Sequence, residues 1–255
     1  TGALAKLLRA RIRFESKDFA GAADVLNSDV FSKSTKLADY ALWLRGRSLQ
    51  QIGDHQGAMS AFARVWSEYP NSVRARDSKL LWADSAITPG SAAKVPTELA
   101  KLVEQQYPGA ILATAKAYEA AGDQKNAVTF YRRTYFYGAG SPESKEAEAK
   151  LTALTESLAP ANAEELKKRA ENLYAAKNYA EAEKSFTALA TNFPGSATAD
   201  VQLKRLVTFA KLKRMADAQG VFNAFPATAN DKEKAFYELL MGYANNRLWP
   251  DARRT

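Results

Sequence analysis

Tyr40-Ala41-Leu42-Trp43-Leu44-Arg45-Gly46-Arg47-Ser48-Leu49-Gln50-Gln51-Ile52-Gly53-Asp54-His55-Gln56-Gly57-Ala58-Met59-Ser60-Ala61-Phe62, running on to Pro70, is the stretch that decides the reading of this chain. Gly46 is followed 12 residues later by Ala58, Phe62 comes four residues further, and Pro70 stands 12 residues after Ala58. The same ruler laid from Leu166 to Pro194 finds Ala170, Ala182, Phe186 and Pro194. Two small residues at that spacing let two helices cross closely, where anything larger than alanine would push them apart. The large aromatic fills the layer towards the neighbouring unit, and the proline ends the pair. Between the helices, Gly53-Asp54 supplies a left-handed residue after the first helix and a cap for the second. A helix-turn-helix unit of about 34 residues is the result.

Working outward, six segments fit the ruler, anchored at Ala22, Ala58, Ala127, Ala182, Ala218 and Ala252. Their separations are 36, 69, 55, 36 and 34 residues. The gap of 69 holds one degenerate unit, with helices expected near Ser72–Ala86 and Thr97–Gln106 and the breaker Thr88-Pro89-Gly90-Ser91 between them. The gap of 55 is one unit plus a single added helix, about Pro142–Ser157, started by Ser141-Pro142 and ended by Ala159-Pro160-Ala161-Asn162. No window alternates as a strand would. This is the tetratricopeptide (TPR) pattern. The expectation is an all-α, TPR-like α-solenoid of about seven helical hairpins plus one extra helix, with 1–255 forming a single superhelical domain that has an irregular junction at 138–162. Phe62, Tyr131, Phe186 and Phe222 are expected between repeats. The start at Thr1 and the partial repeat from Leu248 to Thr255 suggest a fragment of a longer chain.

The composition, 46% hydrophobic and 25% charged, suits a chain with a continuous core. No apolar run approaches the roughly 20 residues that span a bilayer. There is no cysteine, so disulfides, thiolate chemistry and cysteine-ligated zinc are excluded. A net charge of +8 admits acidic partners. The basic runs at Arg9–Arg13, Lys167–Arg169 and Lys211–Arg214 fall on different repeats without interleaved stacking aromatics, which argues against nucleic acid.

Catalytic chemistry is missing from the pattern. The single histidine, His55, falls in an expected turn before a second helix, without the clustered ligands of a metal site or a nucleophile elbow. No phosphate-binding glycine motif occurs, so no cofactor is expected. The expected working surface is the groove lined by the first helix of each unit. Its positions are Leu7, Arg11 and Phe14; Tyr40, Trp43, Arg47 and Gln50; Leu112, Lys116 and Glu119; Lys167, Glu171 and Tyr174; Leu203 and Val207; Tyr237 and Met241. The candidate contacts for a protein or peptide segment are Arg11, Trp43, Arg47, Lys116 and Tyr174, with Trp43 and Arg47 foremost because Trp and Arg are favoured hot-spot types.

Ala117-Tyr118-Glu119-Ala120-Ala121-Gly122-Asp123-Gln124-Lys125-Asn126-Ala127-Val128-Thr129-Phe130-Tyr131-Arg132-Arg133-Thr134-Tyr135-Phe136-Tyr137, followed by Ser141-Pro142-Glu143-Ser144, resembles a segment of the bacterial soluble lytic transglycosylases. Leu173-Tyr174-Ala175-Ala176-Lys177-Asn178-Tyr179-Ala180-Glu181-Ala182 is similar to the next repeat of their superhelix. The resemblance implies a non-catalytic α-superhelix placed before a lysozyme-like domain, a periplasmic setting (a cytoplasmic one being the alternative), and peptidoglycan as the substrate of the parent enzyme through a catalytic domain outside this sequence. That family's signature pairs Glu-Ser with a later Gly-Leu-Met-Gln. Glu15-Ser16 and Glu156-Ser157 lack the rest of it, so no catalytic role is carried onto them. A free-standing TPR adaptor in envelope assembly or secretion is the alternative.

Overall fold

The computed structural model describes residues 2–88, 90–225 and 229–254. Pro89 of the expected breaker lies outside the described residues, as do the side chains at 229, 230, 252 and 254, and with them the repeat anchor Ala252. The fold is an all-α, TPR-like α-solenoid. Among the described residues there are sixteen α-helices, two short 3-10 turns and no strand.

The chain divides into two compact units, residues 1–130 and 131–255. The first holds hairpins α1/α2 (Gly2–Glu15, Phe19–Leu26), α4/α5 (Ala38–Gln51, His55–Glu68) and α6/α7 (Ala75–Ile87, Val95–Glu104), then α8 (Pro108–Ala120) and the start of α9 (Gln124–Tyr137). A five-residue helix, α3 (Val30–Ser34), sits between the first two hairpins. The second unit begins inside α9. It continues with the single helix α10 (Pro142–Ala153) and the hairpins α11/α12 (Ala163–Ala175, Tyr179–Asn192), α13/α14 (Ala199–Lys211, Met215–Asn223) and α15/α16 (Ala229–Asn245, Trp249–Arg254).

The repeat anchors do what the spacing requires. Ala22, Ala58, Ala127, Ala182 and Ala218 have no exposed surface, and neither do Phe62, Tyr131 and Phe186. A methyl group on Gly46 would lie 2.5 Å from Cε1 of Phe62, so glycine is what lets α4 and α5 cross at that point. The turn at Gly53-Asp54 also follows the reading, and Gly122-Asp123 repeats it. Gly53 and Gly122 have φ of 79° and 77°. Asp54 accepts a hydrogen bond from the Gly57 N–H at 2.8 Å, and Asp123 accepts one from Asn126 N–H at 3.1 Å.

Four expectations are corrected. The first helix of the degenerate unit starts at Ala75 rather than Ser72, because the Ser72 hydroxyl donates to Asp39 at 2.6 Å and accepts from the Arg74 N–H at 3.0 Å, holding a turn there. Its second helix starts earlier, at Val95, where Pro96 occupies the opening turn and needs no N–H partner. The added helix ends at Ala153, because Leu154 caps it and Thr155 turns left-handed at φ 57°. Phe222 is only half-buried against Phe236; α14 ends at Asn223, and Phe225 takes the buried place. The helix α3 is an addition that the ruler did not show.

Candidate interaction surface

In each unit the first helix of one hairpin stands beside the first helix of the next. In the first unit α1 meets α4, α4 meets α6 and α6 meets α8; in the second α11 meets α13 and α13 meets α15. Hydrogen bonds spanning about one repeat length tie these neighbours together. Trp43 donates its indole N–H to Asp77 at 2.6 Å, and the Gln50 amide donates to the Leu81 carbonyl at 3.0 Å and the Ser85 hydroxyl at 2.8 Å. Asp39 accepts from Arg74 at 3.3 Å as well as from Ser72. In the second unit Lys204 donates to Glu171 at 3.0 Å, and Asn246 to the carbonyl of Ala210 at 3.1 Å.

On the first unit a row of two cations and four rings lies beside these contacts. The Arg74 guanidinium lies 4.8 Å from the centre of the Tyr40 ring. Tyr40 stacks on Trp43 at 5.9 Å and 22°. Arg47 lies 5.3 Å from the Trp43 ring and 5.9 Å from that of Phe14, which meets Phe19 edge-on at 5.2 Å. Every member of the row is half-buried. Each such cation–ring pair contributes about 0.5–1 kcal/mol where water has access. Rings of this kind suit contact with apolar groups, and guanidinium groups suit carboxylates.

Arg11, Trp43 and Arg47 come from neighbouring helices, α1 and α4. Arg11 is exposed, holds Glu15 at 2.8 Å, and has its pKa raised first by that bond and then by Tyr40. Lys116 is half-buried on α8, two first helices further along than Trp43. Tyr174 belongs to the second unit, edge-on to Tyr179 at 5.8 Å and to Phe186 at 6.4 Å; burial, and after it Tyr179, raises its pKa. Beside it, burial alone would lower the pKa of Lys204, but its bonds to Asp200 and Glu171 outweigh that and raise it.

The expected lining needs correction at Leu7 and Leu112. Both are 5% exposed core residues, because their helices turn those positions inward. Leu203 and Val207 are packed against the core of the second unit, whereas Tyr237 and Met241 are exposed. Sequence reading missed Asp39, Arg74 and Asp77. A signal was present for the last two, which stand 34 residues after Tyr40 and Trp43.

The candidate catalytic residues lie apart. His55 is the first residue of α5, not part of the turn, and its Nδ1 is buried without a hydrogen-bond partner. Glu15 closes α1 in its ion pair with Arg11, and Glu156 is exposed beyond α10. Among the described residues no three His, Cys, Asp or Glu side chains gather as metal ligands. Much of the basic sequence is engaged internally. Arg13 pairs with Asp18, Arg169 sits 3.9 Å over the Tyr135 ring, and Arg214 bridges Asp217 and Glu183.

The tetratricopeptide repeat family model matches residues 40–72 and 168–196, one segment in each unit. The chain therefore contains TPR repeats. Among solved structures it is similar to a tetratricopeptide repeat protein from Parabacteroides merdae, at 13% identity over 95% of this chain and 91% of that one, with a TM-score of 0.44. It is also similar to the TPR2AB domain of yeast Sti1, solved in complex with pHSP90, at 15% identity over 98% and 86% of the two chains, with a TM-score of 0.31. At these values neither likeness carries a function across. No curated protein matches the chain.

Proposed function

We propose that this chain is a non-catalytic TPR scaffold that holds a protein segment against the first-helix face of its first unit. The observation that carries the reading is the half-buried row Phe14, Arg47, Trp43, Tyr40 and Arg74, which gathers rings and guanidinium groups from α1, α4 and the start of α6 and stays partly open to solvent. The TPR match at residues 40–72, which includes most of that row, supports it. Binding of peptides from an envelope-protein library to the purified chain, followed by titration of the best ligand, tests it. Arg47→Gln is expected to weaken that ligand about tenfold, the effect of losing roughly 1.4 kcal/mol at a hot spot. Equal affinity of parent and variant overturns the assignment of the face.

The finer reading places this scaffold in the periplasm, as the superhelical part of a lytic transglycosylase acting on peptidoglycan. It is supported by the resemblance of 117–137 and 141–144 to that family. Among the described residues no helix is long and apolar enough to cross a membrane. Turnover then belongs to a further domain, because glycan cleavage needs a carboxylic acid held in a pocket that raises its pKa. Muropeptide release from sacculi is expected from the full-length protein and not from residues 1–255. Release by these residues alone overturns the reading; no release by the full-length protein favours a free-standing adaptor.

A further inference from the structure

A cavity of about 240 Å³ opens in the first unit between α2, α3, α4 and α5, away from the cation–ring row. Arg45 lies two residues from both Trp43 and Arg47, and at 3.6 residues per turn that spacing turns it to nearly the opposite side of α4. The floor is apolar, with Leu26, Phe31 and Leu42 among its residues, and Ser28 and Ser32 add hydroxyls at the wall. Phe31 is supplied by α3, the short helix inserted between the first two repeats.

Two arginines line this cavity, Arg45 and Arg64. Arg64 is held by Glu68 through two bonds of 2.6 and 3.2 Å. Arg45 has no such partner, and its Nε is buried with no hydrogen bond. Burial and the neighbouring Arg64 both lower its pKa, against a weaker opposing effect of Asp54. Asp29, the carboxylate at the rim, is already taken by Lys33. A buried donor left without an acceptor carries a free-energy cost, greater when the group is charged. That cost is removed by an acceptor arriving from outside.

We propose that the cavity walled by α3 is a binding site for a small organic carboxylate, whose oxygens accept from Arg45 and whose apolar body rests on Leu26, Phe31 and Leu42. The volume equals about eight waters at roughly 30 Å³ each, which suits a short-chain acid or the terminal residue of a peptide. A planar guanidinium presents donors at the spacing of a carboxylate, which makes that group a better fit than a lone spherical anion.

Titration of the intact chain with hexanoate by calorimetry and thermal shift tests the site, with hexanol and acetate as comparisons. Saturable binding of hexanoate is expected, with hexanol and acetate each about tenfold weaker or worse, since one lacks the charge and the other the apolar body. Arg45→Met should lose at least about tenfold in affinity and still fold, because it removes an unpaired, repelled charge. In the ¹⁵N-labelled parent, the Arg45 Nε–H resonance should shift on titration, a readout that needs no variant. Hexanol binding as well as hexanoate, undiminished binding by Arg45→Met, or an Arg45 signal that stays in place would each overturn the proposal.

Discussion

Gly46 shows how one atom sets the geometry of a repeat. Replacing glycine by alanine inside a helix ordinarily stabilises by about 1 kcal/mol. Here the added methyl would stand 2.5 to 2.8 Å from three carbons of the fully buried Phe62 ring. Overpacking of that kind costs about 1–3 kcal/mol, so the clash wins and Gly46→Ala is expected to lower the urea midpoint. Turn residues act in the opposite sense. Lys17, Lys177, Lys213 and Arg247 stand at the turns between the helices of their hairpins with φ of 64°, 59°, 62° and 60°. They hold the left-handed conformation that glycine holds at Gly53 and Gly122. A side chain in that conformation costs about 1–2 kcal/mol, and the extra freedom of an unfolded glycine offsets about 0.5–1 of it. Lys177→Gly is therefore expected to stabilise by about 0.5 kcal/mol, and an unchanged or lower melting temperature would contradict this.

Helix ends and connections depend on single polar side chains. After α10 the chain runs irregularly to Asn162, where the Asn162 side chain caps α11 by accepting from Glu165 N–H at 3.0 Å. Arg132 reaches across from α9 and donates to the carbonyls of Ser157 and, at 2.9 Å, Ala159, while pairing with Glu165 at 3.1 Å. Bonds to charged groups contribute about 1.5–3 kcal/mol each when water is largely excluded. Arg132→Ala is expected to destabilise by about 2 kcal/mol in all, because the exposed carbonyls recover bonds to water, and to make residues 154–162 the first site of proteolysis. At the start of α9, the Asp123 carboxylate has its pKa lowered by bonds from the Asn126 side chain and backbone N–H. A group with a lowered folded pKa adds stability that is complete above its unfolded value, about 3.9, and is lost as pH falls through the lower folded value. Asp123→Ala should lower the melting temperature at pH 7 and leave a shallower decline below about pH 4; parallel acid-side curves for parent and variant would refute the assignment.

Across the whole molecule, repeats stacked on their neighbours share stability mainly with those neighbours. The core of α4 to α8 is one continuous cluster around Phe62, Trp82, Leu99 and Ile111, while Leu206, Phe209, Val221 and Leu239 form another in the second unit. Gly46→Ala is expected to speed amide exchange in α4, α5 and α6 by more than about fivefold, since 1 kcal/mol corresponds to that factor, and to leave α13 and α14 within about twofold. Uniform acceleration in both units would mean that the chain opens as one cooperative block.

The repeat itself was legible in the sequence because it rests on sterics repeated at fixed spacing. Ala22, Ala58, Ala127, Ala182 and Ala218 were found by counting, and each is fully buried. Seven hairpins and the single helix α10 followed from the same ruler. Helix ends were less legible. Ser72 resembles a helix start until Asp39, 33 residues away, claims its hydroxyl, and no local pattern records that bond. The left-handed conformation at Lys17 and Lys177 has no local signal, because a lysine can be driven into it by the helices it connects, whereas glycine announces one. The candidate surface was half readable. Trp43 and Arg47 stood out by type, but their stacking between Tyr40 and Phe14, and the bond from Trp43 to Asp77, depend on which helix lies beside α4. The cavity at Arg45 had no signal in the chain: a guanidinium without a partner is a property of the space around it, and only tertiary packing of α2, α3, α4 and α5 created that space.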